Sequence, residues 1–340
     1  MSIRVLICDD SGMARKQMAR ALPDDWDIVV SYAEHGLDAL PRLRNGEGEI
    51  LFLDLNMPEL DGYGVLEIIQ REDLPVMTIV VSGDIQPQAR ARVKQMGAIE
   101  FIKKPTDSAL VATLLRDYGL YQPGEAADGS SDFMADTGIK AEPVSTPQLN
   151  DYLQEVANVA MGRAADLLAR LLDAFITLPV PRVAMIARSE LSMALSAARE
   201  QTYSAVCQGF TGSGVAGEAL LLFSDASFDD MARLLQYPDT NSEALEVEVL
   251  MDMSSILFGA FLKGIGDQLD LKLGLSHPTV LGQHRQISDL LDHHSQHAEQ
   301  LLAIEIHYTV EDYAIECDLL VLLTEDSIPF LENNLLYLAE

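Results

Sequence analysis

The chain predicts two folds in series. Its first third reads as an α/β doubly wound sheet of five parallel strands, and its last half as a pseudo-symmetric, duplicated α+β domain. Three observations predict this. Short apolar runs alternate with helical patterns five times in roughly the first 120 residues. A stretch rich in Gly, Pro, Ser and acids, residues 122–148, then breaks the pattern. Beyond it, residues of the same kind recur about 97 to 100 positions apart.

In the first domain, 1–121, the runs Ile3–Cys8, Ile28–Tyr32, Ile50–Leu53, Val76–Val81 and Glu100–Ile102 read as strands. Helical patterns fill the gaps at Met13–Leu22, Gly36–Leu43, Gly62–Ile69, Gln86–Met96 and Ser108–Tyr118. Ile50–Leu53 is short and wholly apolar, as a strand buried on both faces must be. Ligands of an open parallel sheet bind outside the carboxyl ends of its strands. There the chain places Asp9 and Asp10, then Asp54 and Asn56, then Ser82, then Lys104. Crowded carboxylates repel unless a hard cation sits among them, and Mg²⁺ takes a few oxygen ligands plus waters. A carboxylate that attacks phosphorus gains from such a cation, while an ammonium and a hydroxyl hold the remaining phosphoryl oxygens.

This ordered set resembles the receiver domain of two-component response regulators, the CheY fold. The resemblance implies that Asp54 accepts a phosphoryl group from a histidine kinase. It implies that Asp10, Asp54 and the Asn56 carbonyl bind Mg²⁺, with Asp9 assisting through water. Ser82 becomes the switch hydroxyl, Lys104 the phosphate-pairing lysine and Phe101 the aromatic switch residue, and Lys104–Pro105 is expected to be cis. Phe101 lacks the hydroxyl of the commoner Tyr, so any hydrogen bond from that ring is lost.

Composition narrows the remainder. Residues 1–122 carry 13 Lys+Arg against 19 Asp+Glu, a balance of −6, and the rest carries 10 against 34, a balance of −24. Such acidity repels phosphate backbones and argues against a DNA-binding output, as does the absence of a helix-turn-helix pattern. Cys8, Cys207 and Cys317 are scattered in apolar runs, as reduced core residues of a cytosolic protein would be. The N-terminus enters a strand at once and shows no signal-peptide pattern. No apolar run approaches the ~20 residues a membrane helix needs. A cytoplasmic location is therefore expected. The connector spans roughly 25–30 Å if flexible and holds its flanking domains at an effective concentration on the order of millimolar.

In the second domain, 149–340, a long helix is predicted from Asn150 through Leu172. Leu153, Val156, Ala160, Ala164, Leu167, Leu168 and Leu171 recur at helical spacing as its buried face. Asp151, Glu155, Asn158 and Gly162 line a different, polar face. Ninety-seven residues later stand Glu248, Asp252, Ser255 and Gly259, and Pro278 lies as far beyond Pro181. Leu220–Ser227 is echoed by Leu320–Ser327, 100 residues on, so an insertion of three is implied. Each repeat, 149–240 and 243–340, reads as a long helix, strands, a hairpin and a short helix. The hairpins fall at Thr202–Phe210 with Val215–Phe223 and at Leu301–Thr309 with Tyr313–Leu323. The two halves are expected to pair strands in one sheet, their long helices side by side. The cluster Asp292, His293, His294 and His297 lacks Cys and a helical metal-ligand frame, and reads as a solvated loop.

The pattern of Asp151, Glu155, Asn158 and Pro181 resembles the signature of the CheC, CheX and FliY phosphatases, which dephosphorylate CheY. The resemblance implies a second activity, hydrolysis of a receiver's aspartyl phosphate. The substrate is then either this chain's own Asp54 or a separate CheY-like protein, and docking in cis or across a homodimer both stay open. Hydrolysis needs a water held in line with the P–O bond, and the Asn158 carboxamide can orient it. Glu155, one turn away, can pair with the receiver lysine. In the second copy Asp252 and Ser255 are shorter and lack the amide, so one competent centre is expected and the other is degenerate. The alternative is a non-enzymatic adaptor for chemotaxis or flagellar-switch partners that keeps a vestigial motif.

Overall fold

The structure, a computed structural model, describes residues 2–121, 146–187, 202–237, 243–291 and 300–332. These fall into two compact units, Met1–Gly83 with Pro87–Asp151, and Asp84–Gln86 with Tyr152–Glu340. The connector 122–148 lies outside the described residues except where its last three open a helix, and the histidine cluster 292–297 lies outside them altogether.

The first unit alternates strands β1 (Ile3–Cys8), β2 (Ile28–Ala33), β3 (Ile50–Leu53), β4 (Met77–Ser82) and β5 (Glu100–Lys103) with helices. The helices are α1 (Gly12–Ala21), α2 (Gly36–Arg44), α3 (Gly62–Glu72), α4 (Pro87–Gln95) and α5 (Ser108–Asp117). All strand pairs are parallel, in the order β2-β1-β3-β4-β5. Every residue of β3 is buried, because each face of the sheet carries its own apolar cluster. Local caps set the helix starts at the strand ends. The Ser11 hydroxyl accepts from Ala14 N–H, and Asp61 and Asp107 cap α3 and α5 in the same way. Gly62 has to be glycine, since a Cβ there would stand 2.3 Å from the Asp54 carbonyl oxygen.

The second unit holds α6 (Thr146–Leu172), whose first turn belongs to the first unit, then β6 (Ile176–Thr177), β7 (Arg182–Ala187), β8 (Tyr203–Gly212), β9 (Val215–Ser224) and α7 (Phe228–Leu234). It continues with α8 (Glu243–Leu269), β10 (Gly274–Leu275), β11 (Thr279–Arg285), α9 (Ile287–Leu291), β12 (Gln300–Val310) and β13 (Glu316–Thr324). Among the described residues its strands form one antiparallel sheet of eight, with central order β10-β8-β9-β13-β12-β6, β11 on β8 and β7 on β12.

The sheet registers carry the repeat. Leu220 and Leu320, equivalent by sequence, are partners across β9 and β13, so a pseudo-two-fold axis passes between them. Thr177 pairs with Thr309 in one half as Gly274 pairs with Thr211 in the other. Val183 with Ile304 likewise mirrors Val280 with Val206. Offsets of 97 and 98 map one set of pairs onto the other, so the insertion is spread along the repeat. Most of it enters the β12–β13 turn, which is longer than the β8–β9 turn. The halves are interwoven: the strands after α6 add to the second hairpin, and those after α8 to the first. Two serines finish the weave. Ser327 Oγ accepts Ala216 N–H at 3.0 Å, and Ser227 Oγ accepts Glu316 N–H at the same distance.

One face of this sheet packs against both long helices: Leu153 and Val156 of α6 and Leu262, Ile265 and Leu269 of α8 line a small cavity with Phe210, Ile304 and Val321. The expected buried stripe of α6 holds from Leu153 to Ala164 and at Leu168, but Leu167 and Leu171 are exposed, 51% and 48%. In those last turns Ala165, Leu168, Ala169 and Leu172 are buried instead. The helix meets its neighbours there on a face shifted by one residue, which sequence spacing does not register.

Candidate functional site

The carboxyl ends of β1, β3, β4 and β5 bring the predicted residues of the first unit together. One carboxylate oxygen from each of Asp9, Asp10 and Asp54 lies within 4.8 Å of the others. Asp9 and Asp54 are buried and Asp10 half-buried, with Asn56 and Ser82 also buried. Lys104 Nζ reaches Asp9 Oδ2 at 2.7 Å and Asp54 Oδ1 at 3.5 Å. Its backbone N–H donates to the Ser82 carbonyl at 2.9 Å, and the Lys104–Pro105 bond is cis, as expected. Phe101 is half-buried against the cluster on the α2–α3 side of the sheet.

The electrostatics suit a cation. Burial pushes the Asp10 carboxyl up to about 6, the neighbouring Asp9 charge adds to this, and Lys104 pulls the other way. A divalent ion among three oxygens would reverse the repulsion, so the donor set fits Mg²⁺, with the Asn56 carbonyl at the same strand end. Cys8 is a free thiol packed 3.5 Å from the Met57 sulfur, and burial together with Asp9 and Asp54 raises its pKa, so it stays protonated. Cys207 and Cys317 are free and buried as well.

Sequence reasoning missed two residues at this pocket. Arg15 donates from Nη1 to the Asp9 and Asp10 carbonyls at 2.7 and 3.2 Å, and its other nitrogen pairs with Glu34. It therefore fixes the backbone that carries both carboxylates; an arginine one turn into the helix was the available signal. Asp151, read as part of the second motif, accepts from Gly12 and Met13 N–H at 3.3 Å each. A carboxylate at a helix N-terminus is favourable, so Asp151 caps α1.

In the second unit, Glu155 and Asn158 stand one turn apart on α6, on the side away from the stripe that faces the sheet. They are 8% and 3% exposed, and each is engaged in a polar or electrostatic interaction. Pro181 is buried. The equivalent positions on α8 differ. Glu248, Asp252 and Ser255 are exposed. Asp252 accepts the Tyr237 hydroxyl at 2.8 Å, which pushes that phenol up to about 12, and Ser255 Oγ donates back to the Met251 carbonyl at 2.8 Å. Both side chains are thus tied to their own surroundings, and neither carries an amide.

A second polar cluster gathers Ser204, Asp225, Glu246 and His284. Ser204 Oγ donates to Asp225 Oδ1 at 3.0 Å, while the His284 ring nitrogens face Asp225 and Glu246 at 3.0 Å each. The hydroxyl meets the carboxylate and not the imidazole, and it is fully buried. This is a structural latch, not the hydroxyl–imidazole pair that nucleophilic catalysis requires.

Comparison with known proteins bears on the first unit. A protein-glutamate methylesterase/protein-glutamine glutaminase of Symbiobacterium thermophilum is 32% identical over 145 residues, 42% of this chain and 40% of that protein. A protein of the same description from Myxococcus xanthus is 38% identical over 119 residues, 34% of each chain. The chain thus spans less than half the length of these curated relatives. Among solved structures, Thermotoga maritima FliY covers 56% of this chain and 97% of its own at 17% identity, with a TM-score of 0.44. Residues 5–116 match the family model of the response regulator receiver domain. With its parallel sheet, its three clustered carboxylates and its buried lysine, the first unit is a response regulator receiver domain.

Proposed function

We propose that this chain is a chemotaxis-type response regulator whose second unit is a CheC-like phosphatase acting on the aspartyl phosphate of a receiver. The receiver half rests on one observation, Asp54 buried in an acidic cluster beside Lys104 at a parallel sheet's carboxyl edge. An Asp54 oxygen attacks the phosphorus of a kinase phosphohistidine, and the N–P bond breaks. Asp9, Asp10, Asp54 and the Asn56 carbonyl would hold Mg²⁺, which when bound neutralises charge on the phosphoryl oxygens. Lys104 and the Ser82 hydroxyl take the oxygens that remain. Such phosphotransfer belongs in the cytoplasm, and among the described residues no helix is long and apolar enough to cross a membrane.

The phosphatase half is supported by the pairing of Glu155 and Asn158 on one helix face turned away from the sheet. Asn158 orients a water against phosphorus, the P–O bond to the aspartyl oxygen breaks, and inorganic phosphate and the free carboxylate result. Glu155 pairs with the lysine of the receiver being hydrolysed. The substrate is a CheY-like receiver, this chain's own or a separate one. Because both side chains are buried, a separate receiver reaches them only after a rearrangement. Asn158→Ala is expected to lower phosphate release from a phosphorylated receiver by about 100-fold or more, the scale lost with a preorganised hydrogen-bonding group at a reacting centre, while leaving the fold intact. Release at the parent rate would refute the role of Asn158.

The burial of Glu155 and Asn158 equally favours a second reading, an adaptor for chemotaxis or flagellar-switch partners with a vestigial motif. Phosphate release from a pre-phosphorylated receiver, with and without this chain, separates the two. Ester or amide hydrolysis, the activity in the relatives' names, has no support in the second unit, where the described cysteines are buried thiols and Ser204 does not meet an imidazole.

A further inference from the structure

The face of the second unit's sheet turned away from α6 and α8 carries a cavity of about 670 Å³. Leu301 and Leu322 line it, whereas Ile304 and Val321, of opposite parity in the same strands, face the helices. Apolar walls with a few polar groups among them, here Glu218, Thr211 and Ser276, are the make-up of a small-molecule site. The rim is already fixed. Ser276 N–H donates to the Gly209 carbonyl at 2.8 Å, and Gln208 Nε2 donates to the Ser276 carbonyl at 2.6 Å.

The internal repeat shows what this position holds in the other half. Glu218 lies two residues before Leu220, as Asp318 lies two before Leu320. Across their hairpins Glu218 faces Gly209, and Asp318 faces His307. In the second half the imidazole sits on the carboxylate, with His307 Nδ1 2.5 Å from Asp318 Oδ1. The first half keeps the carboxylate and has glycine in place of the ring. Ala216 likewise stands where the second half has Glu316, so the same face is trimmed at two positions. Packing does not demand the glycine at 209. A Cβ there would meet nothing nearer than Ser276 Oγ, at 3.4 Å, and its φ is not positive. At Gly217, by contrast, a Cβ would stand 2.2 Å from the Leu322 carbonyl oxygen.

We propose that this cavity binds a small imidazole-bearing ligand, whose ring takes the place that His307 fills in the second half. Its ring N–H donates to the Glu218 carboxylate, and its apolar body lies against Leu301 and Leu322. The acidic balance of −24 over the residues after 122 draws the protonated ring more strongly than the neutral one. A hydrogen bond to an ionised acceptor supplies the recognition, and the apolar walls supply the burial. The site stands apart from Asp54 and from Asn158, so it holds whether or not the second unit hydrolyses an aspartyl phosphate.

The test is an NMR titration of the full chain, isotope-labelled at glycine, with phenylimidazole as the probe. The Gly209 and Gly217 amide signals are expected to shift saturably. Glu218→Gln should weaken binding about 10-fold or more, the scale of one hydrogen bond to a charged group. N-phenylpyrazole, which has the same shape but no N–H and no readily protonated nitrogen, should bind as weakly to the parent as phenylimidazole binds to Glu218→Gln. Gly209→His rebuilds the second half's pair in the first half and should abolish the Gly217 response while the other glycine signals stay in place. No saturable shift in the parent chain would overturn the proposal. So would parent-like affinity in Glu218→Gln, equal affinity for the two probes, or binding that survives in a folded Gly209→His chain. Should Gly209→His fail to fold, Glu218→Gln and the probe pair still decide.

Discussion

Lys104→Met removes a cation that stands against the acidic cluster while keeping the side chain's length and apolar stem. Lys104 is 3% exposed and stands 2.7 Å from Asp9 and 3.5 Å from Asp54. Deleting one partner of a buried ion pair costs about 3–5 kcal/mol, because the charge left behind has lost both water and counter-ion. Taking about 3 kcal/mol and about 3–4 °C per kcal/mol for a domain of this size, the receiver should melt roughly 10 °C lower in EDTA at pH 7.5. Two conditions should return much of that loss. Millimolar Mg²⁺ would bind the three carboxylates in place of the ammonium. Acidification would protonate Asp10, which is already pushed up to about 6 and which loses in Lys104 an opposing influence. A raised acid stabilises below its unfolded pKa and loses that contribution as pH rises through the folded value, so the variant's deficit should grow between about pH 5 and 7. The assay is thermal denaturation followed by circular dichroism, in a grid of pH and Mg²⁺. A variant melting with the parent in EDTA, or losing the same amount with and without Mg²⁺, would show that Lys104 does not offset carboxylate repulsion.

Other outcomes can be checked on the second unit. Burial pushes Asp84 up to about 6, with Asp166 adding to it, so its contribution to stability is present below about pH 4 and lost as pH rises through 6. Asp84→Asn should remove that slope and stabilise the chain at pH 7.5 by about 2 kcal/mol, read by urea denaturation; an unchanged pH profile would count against it. Ser327→Ala leaves Ala216 N–H without its buried acceptor and should cost about 1–3 kcal/mol. Ser227→Ala should cost a similar amount through Glu316 N–H, and unequal costs would show that the two latches are not equivalent.

Much of the first unit was legible because its signals are local. Five apolar runs with polar punctuation name the strands, and β3 at Ile50–Leu53 falls as expected. Once the strands alternate with helices, right-handed crossovers send all their carboxyl ends to one edge. The residues after β1, β3, β4 and β5 then have to meet. The repeat was legible for a related reason: Leu220 and Leu320 were matched by spacing alone, and they prove to be partners across the symmetry axis. What spacing did not convey is which half each strand would join. β6 and β7 lie on the second hairpin and β10 and β11 on the first, a choice made by long-range pairing. Exposure was equally hidden. Glu155 and Asn158 share their pattern with Asp252 and Ser255, yet the first pair is buried and the second open.

By itself, the sequence determined the receiver sheet, the identities of Asp9, Asp10, Asp54, Ser82 and Lys104, and the doubling of the second unit. Each of these follows from periodicity and from side chains at strand ends. Only the tertiary structure decided that Arg15 holds the acidic loop and that Gln208 holds the Ser276 carbonyl, 68 residues on. A buried glutamine has no local signature, for its hydrogen bond exists only once distant backbone has been brought to it.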